Sequence, residues 1–101
     1  MPVSADVQSA ISQRYAELAD SITHGKRAEE KAVLGPHFAD KAKQKLETFE
    51  YDPLTVVVRH MERSAGRVFV RATYVGVHGH NADTFDEWEL LNGTWMLVSR
   101  K

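Results

Sequence analysis

Two polar residues at positions expected to face the interior, Tyr15 and Asp86, are the strongest candidates for chemistry in this sequence. Tyr15 belongs to an apolar stripe with helical spacing, and Asp86 lies two residues before Trp88 in a segment that alternates as a strand does. A carboxyl group inside a protein must find a partner, stay protonated or line a wet cavity. Tyr15 and Asp86 could therefore line a functional pocket.

Each of these residues also has a structural interpretation, and both interpretations stay open at this point. Tyr15 can be a core aromatic residue whose hydroxyl reaches a backbone group. Asp86 can be a carboxylate near a strand end that is hydrogen-bonded to Ser99, to Thr84 or to solvent.

His37 and Asp40 are the candidates for moving a proton. His37 follows Gly35 and Pro36, and histidine titrates near neutral pH, as a general base should. The alternatives are that His37 caps a loop and that Asp40 lies on a solvated face.

A metal site can be considered at His78, His80 and Asp83, because histidines two apart share one side of a strand. Gly79 and Asn81 favour a turn instead, in which these side chains are solvated. The sequence contains no cysteine, which excludes disulfides and thiolate ligands. We expect no metal and no cofactor.

The composition is that of an ordinary globular chain, and 101 residues suit one domain spanning 1–101. The formal net charge is -1, so no excess of positive charge attracts nucleic acid or an anionic membrane. The sequence shows neither a signal peptide nor an apolar run that could cross a bilayer. A cytoplasmic location is therefore expected.

Three helices are predicted in the first half of the chain. Apolar residues spaced three and four apart, from Val7 to Ile22, predict the first helix, with Ser4 as its N-cap and Gly25 as its stop. A second helix is predicted over 27–34, and a third over about 40–48.

Four strands are predicted in the second half, over 54–62, 67–78, 83–91 and 94–100. Turn residues separate them at 63–66 and 79–81, and Asn92 with Gly93 suits a type I′ hairpin. His60 shares the predicted strand face of Val56 and Val58, which predicts a partly buried or interface histidine. The resulting fold class is α+β, with three N-terminal helices packed on an antiparallel sheet of about four strands.

The register of the last hairpin predicts which residues face inward. A two-residue loop at 92–93 places Asp86 beside Ser99 on the face that carries both tryptophans, which is the inner face. The same register places Arg100 opposite Phe85 on the outer face.

This order of elements, together with residues 14–20 and 87–95, resembles the nuclear transport factor 2-like, or SnoaL-like, superfamily. The resemblance covers nearly the whole chain and implies a cone-shaped, cystatin-like arrangement, in which the three helices pack on a curved sheet and leave a pocket between helices and sheet. The superfamily includes isomerases, cyclases, epoxide hydrolases, dehydratases and plain binding or dimerisation modules, so the fold does not fix the function.

Within that superfamily, the ketosteroid isomerases are similar at two positions. In them, a tyrosine of the first helix and an inward acid of a late strand donate hydrogen bonds to the substrate oxyanion, and Tyr15 and Asp86 match these two. Their third part is a carboxylate base on an early strand. No residue here matches the base, because the segment after Asp40 is predicted to be helical.

The resemblance implies a ligand pocket and a homodimer formed through the sheet. The expected pocket residues are Tyr15, Leu18, Phe38, Tyr74 and Trp88. One functional hypothesis is a small-molecule-binding or dimerisation module for a small apolar ligand. The alternative is a small isomerase, dehydratase or hydrolase that acts on an apolar carbonyl or hydroxyl compound. In it, Tyr15 and Asp86 polarise an oxygen while His37 or Asp40 moves a proton.

Overall fold

The computed structural model describes residues 2–35, 54–76, 79 and 81–100. In chain order, helices α1 and α2 and strands β1 to β4 have the bounds Ala5–Thr23, Arg27–Val33, Leu54–Ser64, Arg67–Gly76, Asn81–Leu91 and Thr94–Arg100. This order confirms the predicted α+β class and the four-stranded sheet. The third helix predicted over 40–48 lies outside the described residues, within which two helices are seen rather than three.

Helix α1 forms because its N-cap and its apolar stripe agree. Ser4 Oγ accepts a hydrogen bond from the Val7 N–H at 3.4 Å, which satisfies one of the donors that a helix N-terminus leaves free. Along the stripe, Ile11 and Leu18 are completely buried. The helix therefore presents Tyr15, in the middle of this stripe, to the sheet.

Arg14 attaches α1 to its neighbours. Its guanidinium donates to the carbonyl oxygen of Ala32 in α2 at 2.6 Å and to that of Trp95 in β4 at 3.0 Å. Just after α2, the Gly35 N–H donates to the carbonyl oxygen of Leu97 at 2.7 Å. The helices are thus fixed against the fourth strand through backbone acceptors. Neither described helix combines the length and the apolarity that crossing a membrane requires.

The four strands form an antiparallel sheet in the order β1-β2-β3-β4. Loops of two residues close the first and last hairpins, and φ is 51° and 79° at Ala65 and Gly66 and again at Asn92 and Gly93. These values fit type I′ turns and confirm the hairpin predicted at 92–93. The turn predicted over 63–66 is shorter than expected, since 63 and 64 pair with β2.

The sheet has an inner face toward α1 and an outer face that points away from it. The inner face holds the core, and its buried apolar residues are Val68, Val70, Ala72, Tyr74, Trp88, Trp95 and Leu97. The outer face carries the alternate residues of β2 and β3, which are half-buried or exposed.

A β-bulge in the last hairpin brings Arg100 to the inner face. The pairing follows the predicted register as far as Leu97 and then shifts by one residue, so that Asp86 pairs with Arg100. The predictions that Asp86 lies beside Ser99 and that Arg100 lies opposite Phe85 are therefore wrong. The physical reason is the extra residue in β4, because one inserted residue reverses the face of every residue beyond it.

A second bulge reverses the face of one residue in β1. Val58 pairs with Ala72 of the inner face, whereas His60 pairs with Arg71 of the outer face. His60 is exposed, so the prediction that it shares the strand face of Val56 and Val58 is wrong. The residue inserted at the bulge again explains the difference.

Candidate functional site

Five side chains from four elements meet in the core between α1 and the sheet. Tyr15 comes from α1, Tyr74 from β2, Asp86 and Trp88 from β3, and Arg100 from the end of β4. The first four residues are at most 2% exposed, and the side chain of Arg100 is 7% exposed. These five residues are called the core cluster below.

The Asp86 carboxylate is the acceptor at the centre of the core cluster. Its Oδ1 accepts from Arg100 Nε at 2.7 Å, and its Oδ2 accepts from Arg100 Nη2 at 3.2 Å. Oδ2 also accepts from the Tyr15 hydroxyl at 2.6 Å and from the Tyr74 hydroxyl at 3.3 Å. These contacts make Asp86 and Arg100 a buried ion pair, with the two tyrosine hydroxyls as further donors to the carboxylate.

The two tyrosine hydroxyls that donate to this carboxylate also accept hydrogen bonds from other members of the core cluster. Trp88 Nε1 donates to the Tyr15 hydroxyl at 3.0 Å, and Arg100 Nη2 donates to the Tyr74 hydroxyl. The Tyr15 and Trp88 rings also meet edge to face, with centroids 4.8 Å apart. Each tyrosine hydroxyl therefore accepts one hydrogen bond and donates another to Asp86.

Burial and neighbouring groups together shift the pKa values of Tyr15, Tyr74 and Arg100. Burial raises the pKa of Tyr15 far above its ordinary value, and the Asp86 charge raises it further. Burial likewise raises the pKa of Tyr74, with Asp86 adding to the rise and Arg100 opposing it. For Arg100, burial lowers the pKa, but Tyr74 and Asp86 outweigh this effect and the pKa is raised. Both hydroxyls stay protonated donors at neutral pH, and the guanidinium stays charged.

A cleft of about 680 Å³ opens between α1 and β1 and is called the α1–β1 cleft. Its described lining residues are Ser12, Tyr15, Ala16, Ala19, Asp20, Thr23, Leu54, Thr55, Val56 and Val58. Within the described chain, Tyr15 belongs both to this wall and to the core cluster, whereas Asp86 does not line the cleft. Among the described residues of the core cluster, Tyr15 is therefore the one that the cleft reaches.

The chain shares its fold with a solved structure. An NTF2-like protein of unknown function from Shewanella baltica OS155 aligns with 99% of this chain and 94% of its own, with a TM-score of 0.75. The chain has the nuclear transport factor 2-like fold. No protein-family model matches the sequence, and no curated protein matches it. The two aligned sequences are 9% identical, so the likeness shows the fold and leaves the activity to be argued from the residues of this chain.

In this nuclear transport factor 2-like fold, the core cluster is not arranged as a pair of donors for a ligand oxyanion. The ketosteroid isomerase resemblance implies that Tyr15 and Asp86 both donate to one ligand oxygen. Here Tyr15 donates to Asp86 itself, and Asp86 accepts. Among the described residues, every buried side-chain nitrogen and oxygen has a hydrogen-bond partner. The cluster is therefore satisfied without a ligand.

The structure separates the other predicted site residues into two groups. Leu18, Tyr74 and Trp88 are packed in the core at 1% exposure or less, and they do not line the α1–β1 cleft. Residues of the second group lie outside the described part of the chain: His37, Phe38 and Asp40, with the possible metal ligands His78 and His80. Within the described part, no three His, Asp or Glu side chains come close enough to hold a metal ion.

Sequence reasoning missed Arg100, which completes the core cluster of this nuclear transport factor 2-like fold. The available signal was chemical: an inward carboxylate such as Asp86 requires a cation, and Arg100 is the basic residue of β4. A strict two-residue alternation placed Arg100 on the wrong face, because the bulge is not visible in the sequence.

Proposed function

We propose that this chain is a small-molecule-binding module that works without a catalytic group in its core. The observation that supports this most is that Tyr15, Asp86 and Arg100 use their hydrogen-bonding groups on one another within the core cluster. To act on a substrate oxygen, Tyr15 would have to release Asp86 and leave a buried charge short of a donor. The isomerase, dehydratase or hydrolase alternative requires this rearrangement, so the binding function ranks first.

The α1–β1 cleft is the proposed binding site. Its volume of about 680 Å³ falls in the range of roughly 300–1,000 Å³ that small-molecule pockets occupy. Its described lining mixes Ala, Val and Leu side chains with hydroxyls and one acid, Asp20, and includes neither Lys nor Arg. The Oδ1 atom of Asp20 already contacts the Nδ1 atom of His24 at 3.1 Å. The cleft therefore suits a neutral, partly apolar molecule whose polar group hydrogen-bonds to the hydroxyls.

Ala16→Phe tests this site, because Ala16 is exposed on α1 and lines the cleft. A phenyl group there fills the cleft without disturbing the buried stripe. We expect a neutral apolar dye such as Nile red, and small neutral ketones and alcohols, to bind the wild-type protein saturably. We expect Ala16→Phe to weaken this binding by about tenfold or more, an effect of the size that steric exclusion from a pocket produces. Fluorescence titration measures the binding of the dye, and ligand-observed NMR measures the binding of the ketones and alcohols.

The matched control is Gln13→Phe, which places the same side chain on an exposed position of the same helix outside the cleft lining. This variant should bind the probes as the wild-type protein does. Equal binding by Ala16→Phe and the wild type would overturn the site, and failure of every neutral probe at millimolar concentration would overturn the function.

We also propose that two copies associate through the part of the outer face nearest the two tight hairpins. There Phe69 lies beside an ion-pair group in which Arg67 contacts Glu87 at 2.9 Å and Glu89 at 3.3 Å. Half-buried Met96 completes the patch. Apolar side chains among charges of both signs suit a self-complementary interface between identical subunits.

Phe69→Glu tests the interface, because it places a charge in the middle of the proposed contact. Light scattering at micromolar concentration should give about twice the 11.4 kDa subunit mass for the wild type and a single subunit for this variant. Leu90→Glu is the control, because Leu90 is 50% exposed but pairs with Trp95 of the inner face, away from the proposed contact. This control variant should remain a dimer. A wild-type protein with the mass of one subunit would refute the association.

A further inference from the structure

The bulge in β1 gathers basic side chains on the outer face. Residues 58 and 61 point to the inner face, where they pair with Ala72 and Val70. The bulge lies between them, so Arg59 and His60 both come to the outer side, opposite Arg71 of β2. All three basic side chains are exposed. Strict alternation would have turned one of the two neighbours in β1 inward.

The two guanidinium groups of this cluster are held in place by their neighbours. Arg71 lies over the Phe85 ring, with its guanidinium carbon 5.9 Å from the ring centroid. Arg59 Nε donates to Thr73 Oγ1 at 3.2 Å, and the Thr73 hydroxyl in turn donates to Asp83 Oδ1 at 2.8 Å. Both side chains are therefore oriented before any ligand arrives, which lowers the entropic cost of binding.

These residues line a concavity of about 610 Å³, called the outer cleft below. Its described lining residues are Arg59, Arg71, Ala72, Thr73, Asp83, Thr84 and Phe85. Within the described part of the chain, the N–H groups of Arg71 and the terminal nitrogens of Arg59 make no hydrogen bond. These donors are oriented and face solvent, so they are available to an oxyanion.

We propose that the outer cleft binds an organic monocarboxylate with a flat apolar body. The carboxylate accepts from the free guanidinium N–H groups of Arg59 and Arg71, in the planar geometry that arginine offers. The apolar body packs on Phe85, which is 40% exposed. Two guanidinium groups and the Asp83 carboxylate leave one net positive charge in the lining, which favours a monoanion over a phosphate dianion. Among the described residues, the outer cleft shares no lining residue with the α1–β1 cleft, so this site is separate from the small-molecule site proposed above.

Benzoate is the probe, titrated into the ¹⁵N-labelled full chain while the backbone amides and arginine Nε–H signals are followed by NMR. We expect saturable shifts confined to Arg59, to residues 71–73 and to residues 83–85. Benzyl alcohol, the neutral analogue of the same size, should leave these signals in place, and inorganic phosphate should bind more weakly than benzoate. Equal shifts with benzyl alcohol, tighter binding of phosphate, or shifts confined to the α1–β1 cleft would each overturn the proposal.

Arg71→Gln and Arg59→Gln test the two donors separately. Each should raise the dissociation constant for benzoate by about tenfold, the effect of losing one charge-assisted hydrogen-bonding group. Arg63→Gln is the matched control, because Arg63 is exposed on the same strand as Arg59 but pairs with Val68 of the inner face and is not among the described lining residues of either cleft. The proposal fails if Arg63→Gln weakens binding as much as Arg71→Gln does. It also fails if a second copy covers the outer cleft, so that benzoate leaves the Arg59 and Arg71 signals unmoved.

Discussion

At the residue scale, the stability of the core depends most on the ion pair between Asp86 and Arg100. Asp86 is fully buried and the Arg100 side chain is 7% exposed, so neither charge can turn to water if its partner is removed. We expect Arg100→Ala to lower the free energy of unfolding by about 3–5 kcal/mol, because it leaves an uncompensated buried charge. Urea denaturation followed by tryptophan fluorescence measures this loss.

The control for this prediction is Lys26→Ala, which removes an ion pair with Glu29 at the start of α2. The Lys26 side chain is 50% exposed, and exposed pairs contribute at most about 1 kcal/mol. If the two variants lose the same stability, the Asp86 charge does not depend on Arg100, and the buried pair does not hold the core together.

The meeting of Tyr15 with Asp86 could be predicted from the sequence, whereas their roles could not. A helical stripe and a strand alternation each place one residue inside, and in the structure the two are 2.6 Å apart. Their roles depend on Arg100, which turns Asp86 from a potential donor into an acceptor. Arg100 reaches the core through a bulge, and no residue type in β4 marks that bulge in the sequence.

At the element scale, the two type I′ turns differ in how well their residues suit them. Asn92 and Ala65 both have φ of 51°, and asparagine accepts that conformation more readily than alanine does. We expect Ala65→Asn to raise the free energy of unfolding by about 0.5–1 kcal/mol, since it relieves a strained position at an exposed site. Thermal and urea unfolding measure the gain.

The neighbouring Gly66 provides the opposite test. Its φ is 79°, and a Cβ added there meets nothing within 4 Å, so any cost of Gly66→Ala comes from the backbone conformation. This variant should lose about 1 kcal/mol or more. A stability gain in Gly66→Ala, or none in Ala65→Asn, would mean that the turn does not hold these φ values in solution.

At the scale of the whole molecule, the architecture was predictable because it follows from patterns that repeat along the chain. Alternation with tight hairpins specifies an antiparallel meander, and one apolar stripe specifies a helix that covers it. These patterns tolerate extensive substitution, which is why a protein with 9% identity shares the fold at a TM-score of 0.75. The outer cleft was not predictable, because it depends on one inserted residue in β1 rather than on a pattern.

The core cluster also makes the stability of the whole molecule sensitive to alkaline pH. The ordinary pKa of a tyrosine hydroxyl is 10.0, which applies to Tyr15 and Tyr74 in the unfolded chain, and burial raises the pKa of both in the folded protein. The contribution of the two tyrosines to the free energy of unfolding is fully present below pH 10, where their hydroxyls are protonated in both the folded and the unfolded state. Above it, the unfolded chain releases protons that the folded protein retains, so stability falls with rising pH. Two such groups give a slope approaching about 2.7 kcal/mol per pH unit.

Urea denaturation at a series of pH values between about 8 and 11 measures this slope. Tyr15→Phe should reduce the slope by about half, although it also lowers stability at neutral pH, because Trp88 Nε1 then lacks its acceptor. Every lysine is kept in the variant, so the difference between the two profiles isolates the Tyr15 hydroxyl. Parallel profiles for the variant and the wild type would show that Tyr15 ionises as freely in the folded protein as in the unfolded chain. A tyrosine hydroxyl that ionises so readily in the folded protein cannot be a buried donor to Asp86. Parallel profiles would therefore contradict the buried hydrogen bond between Tyr15 and Asp86.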